Sequence, residues 1–249
     1  MTQQVKMVAF DLGYTLAFNA REDYYIDFLK EHHIYLPLEE VELAFHYADE
    51  IFMREYSGML GRHSKYHFPW YLGIVNYHLG QQFDLNKQSQ FILAKMNMET
   101  YWRLFSWTKE VLTELKEEEY QVALLSNWDL SCRHLMNQFE IAHLFDHILV
   151  SSEVGIEKPD QRIFEMLMNQ SGLYAEEIIY VGDNYYDDVQ GSRKKGIDTI
   201  LINRFGHEGV REIDDCHIVK STKDVYPLLK NEENDGFLAM EKIKGAHRR

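Results

Sequence analysis

The chain has 249 residues, 45% of them hydrophobic, two cysteines and a formal net charge of -14. That length can bury a full core as one large domain or two modest ones, and the acidity excludes a general nucleic-acid binder, whose phosphate contacts need clustered basic surface. No apolar run reaches the roughly 20 residues of a membrane span, the N-terminus runs straight into a strand with no signal-peptide pattern, and Cys132 and Cys216 sit in no CxxC or Cys/His ligand spacing; a cytoplasmic, reduced protein without membrane contact, disulfide or structural zinc is expected.

The first element is the run Met7 to Phe10, short, apolar and followed at once by Asp11 and Gly13, which reads as a strand buried on both faces and ending in a loop. A carboxylate at the carboxyl end of such a strand sits where open α/β sheets bind ligands. Starting a turn is the other role open to Asp11. Helical periodicity then takes over. Tyr25, Phe28, Leu29 and His32 share one face. A second helix from Leu38 carries Val41, Phe45, Ala48 and Phe52 and is closed by Gly58. Two more helices are expected around Tyr71 to Leu79 and Lys87 to Leu104. The insert from about Ala17 to Ser106 therefore reads as a separate all-helical domain.

One passage of the insert, Tyr56 to Tyr77, places Arg62, His63, Lys65 and His67 among aromatics in an otherwise acidic chain. It reads either as a patch contacting an anionic or sugar-like group or as a packed aromatic core with a solvated basic loop. His63 and His67 have metal-pair spacing, without an HExxH pattern and with Pro69 close behind.

From Thr108 the pattern alternates helix and strand. Thr108 is placed to cap a helix carrying Val111, Leu112 and Leu115, and Val122 to Leu125 form a buried strand ending in Ser126 and Asn127. A helix follows from near Asp129, then a strand Ile148 to Val150. Pro159 is expected to open the next helix and Gly172 to close it. Ile178 to Val181 end in Gly182 and Asp183; a helix from about Asp187, with Asp187 as its N-cap, runs to Lys195 before Gly196. Thr199 to Ile202 and His217 to Val219 complete the series, and NEENDG beyond Leu229 reads as a solvated linker to the tail Phe237 to Arg249. Alternation of this kind implies a parallel sheet covered on both faces. Asp11, Ser126, Lys158 and Asp183 then all fall at or just after carboxyl ends of strands.

With FDLGYT, LLSN, the lysine of GIEKPD, and VGDNYYDD followed by VQGSRKKG in this order and spacing, the chain resembles the haloacid dehalogenase superfamily from Val5 to about Asn203. The resemblance implies an α/β fold, a Rossmann-like parallel sheet core of residues 1–16 and 107–230 with an inserted all-helical cap of type 1 at 17–106 and a C-terminal tail at 231–249. It also implies a phosphatase of small phosphorylated metabolites. Asp11 would be the nucleophile that forms an aspartyl-phosphate. Mg²⁺ would be held by the Asp11 carboxylate, the Gly13 carbonyl and Asp183, with Asp188 assisting. Lys158 would neutralise the nucleophile and the transferring group, and Ser126 with the Asn127 backbone N–H would donate to phosphoryl oxygens. The charges agree: acidic groups converging without a cation would repel one another, and oxygen ligands suit a hard divalent ion. Arg21, just past the first motif, is a candidate substrate contact or a plain surface residue. Monomer and homodimer both remain open.

The chain departs from the family at Gly13, where its phosphatases usually carry a second aspartate as general acid and base, a contribution of about 10²- to 10⁴-fold. Three readings follow. One is a phosphatase whose substrate has a good leaving group, such as an acyl, aryl or anomeric phosphate, or whose cap or substrate supplies the proton. Another is a metal- or phospho-ligand-binding protein that turns over slowly or not at all. The third is carbon–halogen cleavage without metal, as in a 2-haloacid dehalogenase, which has no need of Asp183 and Asp188.

Overall fold

The computed structural model describes residues 4–60, 66–98 and 102–235. Two compact units divide the chain: Met1–Leu16, Phe105–His207 and Arg211–Arg249 form one, and Ala17–Leu104 with Glu208–Val210 the other.

The first unit is built on a parallel six-stranded sheet. Its strands are β1 (Met7–Phe10), β4 (Gln121–Ser126), β5 (His147–Val150), β6 (Ile178–Gly182), β7 (Asp198–Ile202) and β8 (His217–Val219), in the spatial order β5-β4-β1-β6-β7-β8. The chain thus steps outward from β1 through β4 to β5, returns to the other side of β1 at β6, and steps outward again. This is the doubly wound order, which reverses between β1 and β6, and open α/β sheets bind ligands at the strands' carboxyl ends at such a reversal. Every residue of β1 and β6 is buried, which is why both read as unbroken apolar runs rather than alternating ones. One face packs Met7, Ala9, Ala123, Leu125 and Tyr180 against Ile163, Phe164 and Leu167 of α8 (Gln161–Ser171).

Several boundaries differ from the sequence reading for identifiable reasons. Thr108 does not cap α5 (Thr108–Glu117); it is the first helical residue, and its hydroxyl donates to the Leu16 carbonyl at 2.6 Å. The helix expected from Asp129 is α6 (Cys132–Gln138), because Asp129 Oδ1 accepts the Ser131 N–H and holds a turn first. The strand expected to end at Val150 does so, and the single turn α7 (Ser151–Val154) follows it directly. Pro159 does not open α8. Asp160 takes an extended backbone and accepts the Arg162 N–H at 2.9 Å, so the cap fixes the start at Gln161, and Gly172 closes the helix at φ 70°. Asp187 is not an N-cap either: Asn184 Oδ1 accepts from the N–H groups of Tyr186 and Asp187, and Tyr185–Val189 form a π-helical turn before α9 (Gln190–Arg193). The NEENDG segment is helical up to Asp235, since α10 (Val225–Asp235) continues through it. The tail from Phe237 lies outside the described residues.

The second unit has its own core. Its helices are α1 (Arg21–Glu31), α2 (Leu38–Glu55), α3 (Phe68–His78) and α4 (Leu85–Met98). Tyr25, Phe28, Val41, Phe45, Phe52, Tyr71, Leu72 and Ile92 pack together at their centre. The unit is not all-helical, because β2 (Ala17–Asn19) pairs antiparallel with β3 (Trp102–Leu104). The helix expected to reach Leu104 accordingly ends at Met98. Three-residue strands are too short to show a period of two in sequence. No helix of the described residues is long and apolar enough to cross a membrane.

Candidate active site

Register places the site's first pieces. Phe10 pairs with Val181, and the Asp11 N–H donates to the Val181 carbonyl at 2.9 Å. Asp11 and Asp183 therefore leave adjacent strands on one edge, at the point where strand order reverses. Ser126 ends β4, on the other side of β1.

Lys158 ties these ends together. Its ammonium donates to Asp11 Oδ1 at 2.8 Å, Asp188 Oδ1 at 2.6 Å and Tyr180 Oη at 2.9 Å. The Lys158 side chain is 3% exposed and that of Asp188 0%. Burial alone would favour the neutral amine, but Asp11 and Asp188 outweigh it and hold the Lys158 pKa well above the ordinary lysine range. Burial raises the Asp188 carboxyl against the pull of Lys158. Burial likewise pushes the Tyr180 phenol well up, so its hydroxyl keeps its proton and donates it to the Leu125 carbonyl at 2.7 Å.

The geometry of Asp188 depends on the π-helical turn. Its Oδ2 accepts the Asn184 N–H at 3.0 Å while its own N–H reaches the Asn184 carbonyl at 2.8 Å. The carboxylate is thereby folded back beneath the strand end, and single π turns of this kind occur often at functional sites. Gly182 makes room for it, since a Cβ there would overlap the Asp188 carboxylate.

Asp11 is 8% exposed. Its Oδ1 takes two donors, Lys158 Nζ and Ser126 Oγ at 3.0 Å; its Oδ2 takes none among the described residues. Asn127 meets Lys158 through the backbone. Its side-chain amide donates to the Lys158 carbonyl at 2.9 Å and accepts the Lys158 N–H at 2.8 Å, a two-way clamp fixing where the lysine starts. In sequence, Asn127 stands out only for its backbone N–H, and nothing marks this side-chain role. Tyr180, in a strand buried at every position, carries no alternation to mark it either.

Arg21 has partners within its own unit. It lies in the second unit, 8% exposed, with its guanidinium paired to both oxygens of Asp49 and to Glu22, and within 5.2 Å of the ring centroids of Phe45 and Tyr71. His67 is buried in that unit too, while Arg62, His63 and Lys65 lie outside the described residues. Cys132 and Cys216 are free and buried, and burial first of all pushes both thiols to about 12, so neither is a nucleophile at neutral pH. No group of three or more His, Cys, Asp or Glu forms a ready-made metal cage among the described residues.

A doubly wound α/β protein with an aspartate after its first strand, held by a buried lysine that also binds a second aspartate, is the class that this fold and site define. The family model described as haloacid dehalogenase-like hydrolase matches residues 63–202, more than half of the chain, and the chain belongs to that family. The match begins after Asp11 and includes Ser126, Lys158, Asp183 and Asp188. The chain is 33% identical over 129 residues to glyceraldehyde 3-phosphate phosphatase of Methanothermobacter thermautotrophicus, covering 49% of this chain and 53% of that one. It is 32% identical over 122 residues to (S)-2-haloacid dehalogenase 4A of Burkholderia cepacia, covering 48% and 52%. These matches span about half the length of each relative. A HAD phosphatase from Thermococcus onnurineus shares the fold, with a TM-score of 0.56 at 17% identity over 90% of this chain and 98% of that one.

Proposed function

We propose that the chain is a Mg²⁺-dependent phosphatase of small phosphorylated metabolites, working through an aspartyl-phosphate on Asp11, with the second unit serving as a type 1 cap. The names of the relatives divide between phosphate-ester and carbon–halogen chemistry, so the reading rests on the site. The observation that carries it is charge: one buried ammonium is shared by two carboxylates, Asp11 at 2.8 Å and Asp188 at 2.6 Å. Negative charge is in excess before any substrate arrives. A carbon–halogen substrate would gain nothing from that excess, whereas a divalent cation offsets it.

The residues fit such a cation. Their donors are all oxygens, and Asp11 Oδ2 is open. Both Asp188 oxygens are engaged, by Lys158 and the Asn184 N–H. The Asp11 carboxylate, the Gly13 carbonyl and Asp183 would therefore hold the ion, with Asp188 acting through Lys158. Magnesium binds through one or two carboxylates and keeps several waters, so no closed cage is required. When bound, it would neutralise phosphoryl oxygens as the dianion approaches.

The protein's own groups do the rest. A carboxylate oxygen of Asp11 bonds to phosphorus, the bond from phosphorus to the leaving oxygen breaks, and water then attacks the aspartyl-phosphate to return free Asp11 and inorganic phosphate. Lys158 lowers the cost of bringing the carboxylate to an anionic group. Ser126 and the Asn127 backbone N–H stand at the edge where phosphoryl oxygens would lie. Gly13 supplies no proton to the leaving oxygen, so acyl, aryl or anomeric phosphates are the favoured substrates. The two free buried thiols suit a reducing cytoplasm.

The test is a screen of phosphorylated metabolites and aryl phosphates with and without Mg²⁺, run beside Asp11→Asn. Metal-dependent phosphate release that is lost in Asp11→Asn, with the melting curve unchanged, supports the reading. Halide release from a 2-haloacid without Mg²⁺ would replace it. One observation favours a second reading: every Lys158 ammonium proton and the Ser126 hydroxyl proton are already donated within the protein. A binding protein with slow or no turnover would look the same, and failure of all substrates to turn over while phosphate still binds would select it.

A further inference from the structure

Tyr180 is fully buried on β6, pairs in register with Ala9 of β1, and Ala9 pairs with Ala123 of β4. All three belong to one face of the sheet. The two alanines leave space above the central strands, and the phenol reaches across β1 to give its proton to the Leu125 carbonyl, the residue before Ser126. Phe164 packs edge-on against the ring at 5.4 Å, and its own position requires Gly191, where a Cβ would come within 2.8 Å of the Phe164 ring. The hydroxyl is therefore fixed from three strands and a helix. Having donated to Leu125, it has only lone pairs to offer, and Lys158 fills one of them at 2.9 Å.

We propose that Tyr180 is a positioning residue that acts through Lys158: by taking the third ammonium proton it holds Nζ midway between Asp11 and Asp188. A lysine ammonium has three protons and no acceptor, and here each proton has one partner. Without the phenol oxygen, one buried Lys158 N–H loses its partner, and the Leu125 carbonyl loses the phenol proton. Asp188 makes the shorter of the two carboxylate contacts and is anchored by the Asn184 N–H. The ammonium then turns toward Asp188 and withdraws from Asp11. The consequence lies in catalysis, since Asp11 would meet an anionic group with its positive neighbour displaced.

This inference rests on the phosphatase reading for its kinetic consequence but not for its geometry, and Tyr180→Phe separates the two. The exchange keeps the ring, its packing on Phe164 and the β-strand preference. Expected is a fall in kcat on an aryl phosphate of about 10- to 100-fold, the range that displacement of a catalytic group by about an ångström produces, with KM little changed and the variant still folded by circular dichroism. A crystal structure of the same variant is expected to show Lys158 Nζ displaced from Asp11 Oδ1. Unchanged kcat in a folded variant overturns the proposal. So does a lysine that stays in contact with Asp11, whatever the kinetics. If the wild-type protein proves inactive on every phosphate, the phosphatase reading fails, and the crystal structure of the variant still decides the role of Tyr180.

Discussion

Each unit of this protein buries one basic side chain against two carboxylates, and the two clusters are built to different ends. In the first unit Lys158 meets Asp11 and Asp188; in the second Arg21 meets Asp49 and Glu22. The arginine cluster is closed. Asp49 Oδ1 also takes the Tyr71 hydroxyl at 2.7 Å, and Phe45 and Tyr71 flank the guanidinium. The lysine cluster ends in Asp11 Oδ2, an acceptor with no donor among the described residues, at the edge where the sheet order reverses. Charge burial alone therefore does not mark a reactive centre. An acceptor left open at a topological switch point does.

The largest expected effect comes from removing each cation in turn. Lys158→Met is expected to lower kcat by about 10³-fold, the upper range for losing one electrostatic contact to a reacting group. Arg21→Met is expected to cost about 3–5 kcal/mol of stability, because a buried pair is broken and its carboxylates are left unpaired. Activity per folded molecule of Arg21→Met should stay at the wild-type level. Urea titration beside initial rates measures both. An Arg21 variant that stays stable but turns over as slowly as Lys158→Met would erase the distinction and restore Arg21 as a substrate contact.

A smaller pair of changes sharpens the same contrast at two glycines. A Cβ on Gly182 would overlap the Asp188 carboxylate, so Gly182→Ala must push that group off Lys158 or move the strand end. A loss of about 1–3 kcal/mol is expected from overpacking, with a drop in kcat alongside. Gly73 lies inside α3, and its Cβ would meet only Leu85 Cδ1 at 3.4 Å, an ordinary contact. Gly73→Ala should raise stability by about 0.5–1 kcal/mol through helix propensity, without touching turnover. Thermal melts and rates on the two variants check both signs.

Sequence carried the architecture further than it carried the contacts. Asp11, Ser126, Lys158 and Asp183 were legible because each sits just past a buried apolar run or in a spaced motif, and the strand order then brings them to one edge. Asp188 was legible as an acid but not as a group folded back onto Lys158, since that depends on the π-helical turn after Asn184. Tyr180 was hidden because a strand buried on both faces shows no polar alternation. Its reach to Leu125 depends on Ala9 and Ala123, whose small size has meaning only once register is known. The Asn127 clamp was hidden for the opposite reason: an amide after a strand has many local uses, and only tertiary placement selects one. Arg21, adjacent to the first motif in sequence, is buried beside Asp49, Glu22, Phe45 and Tyr71, partners that only tertiary placement supplies.

The smallest expected effect concerns acid, and it again sets the second unit apart. His67 is 5% exposed, its Nδ1 has no partner among the described residues, and its ring packs beside Phe52 with centroids 5.8 Å apart. Burial, with the Arg21 charge adding to it, holds its pKa below the ordinary 6.5. Well above pH 6.5 the imidazole is neutral in both folded and unfolded chains, and it contributes no pH dependence there. As pH falls through 6.5 the unfolded chain takes up a proton that the folded chain refuses, so stability declines until the lower folded pKa is reached. His67→Phe keeps an aromatic ring beside Phe52 and removes the titration. The wild type should therefore lose stability relative to the variant as pH drops from 7 to 5, and the two should run parallel above 7. The imidazole C–H resonance of His67, followed by NMR, gives the pKa directly. A midpoint at or above 6.5 would mean that the ring is solvated or paired, and that the aromatic core around it is more open than the packing of Phe52, Phe68 and Tyr71 allows.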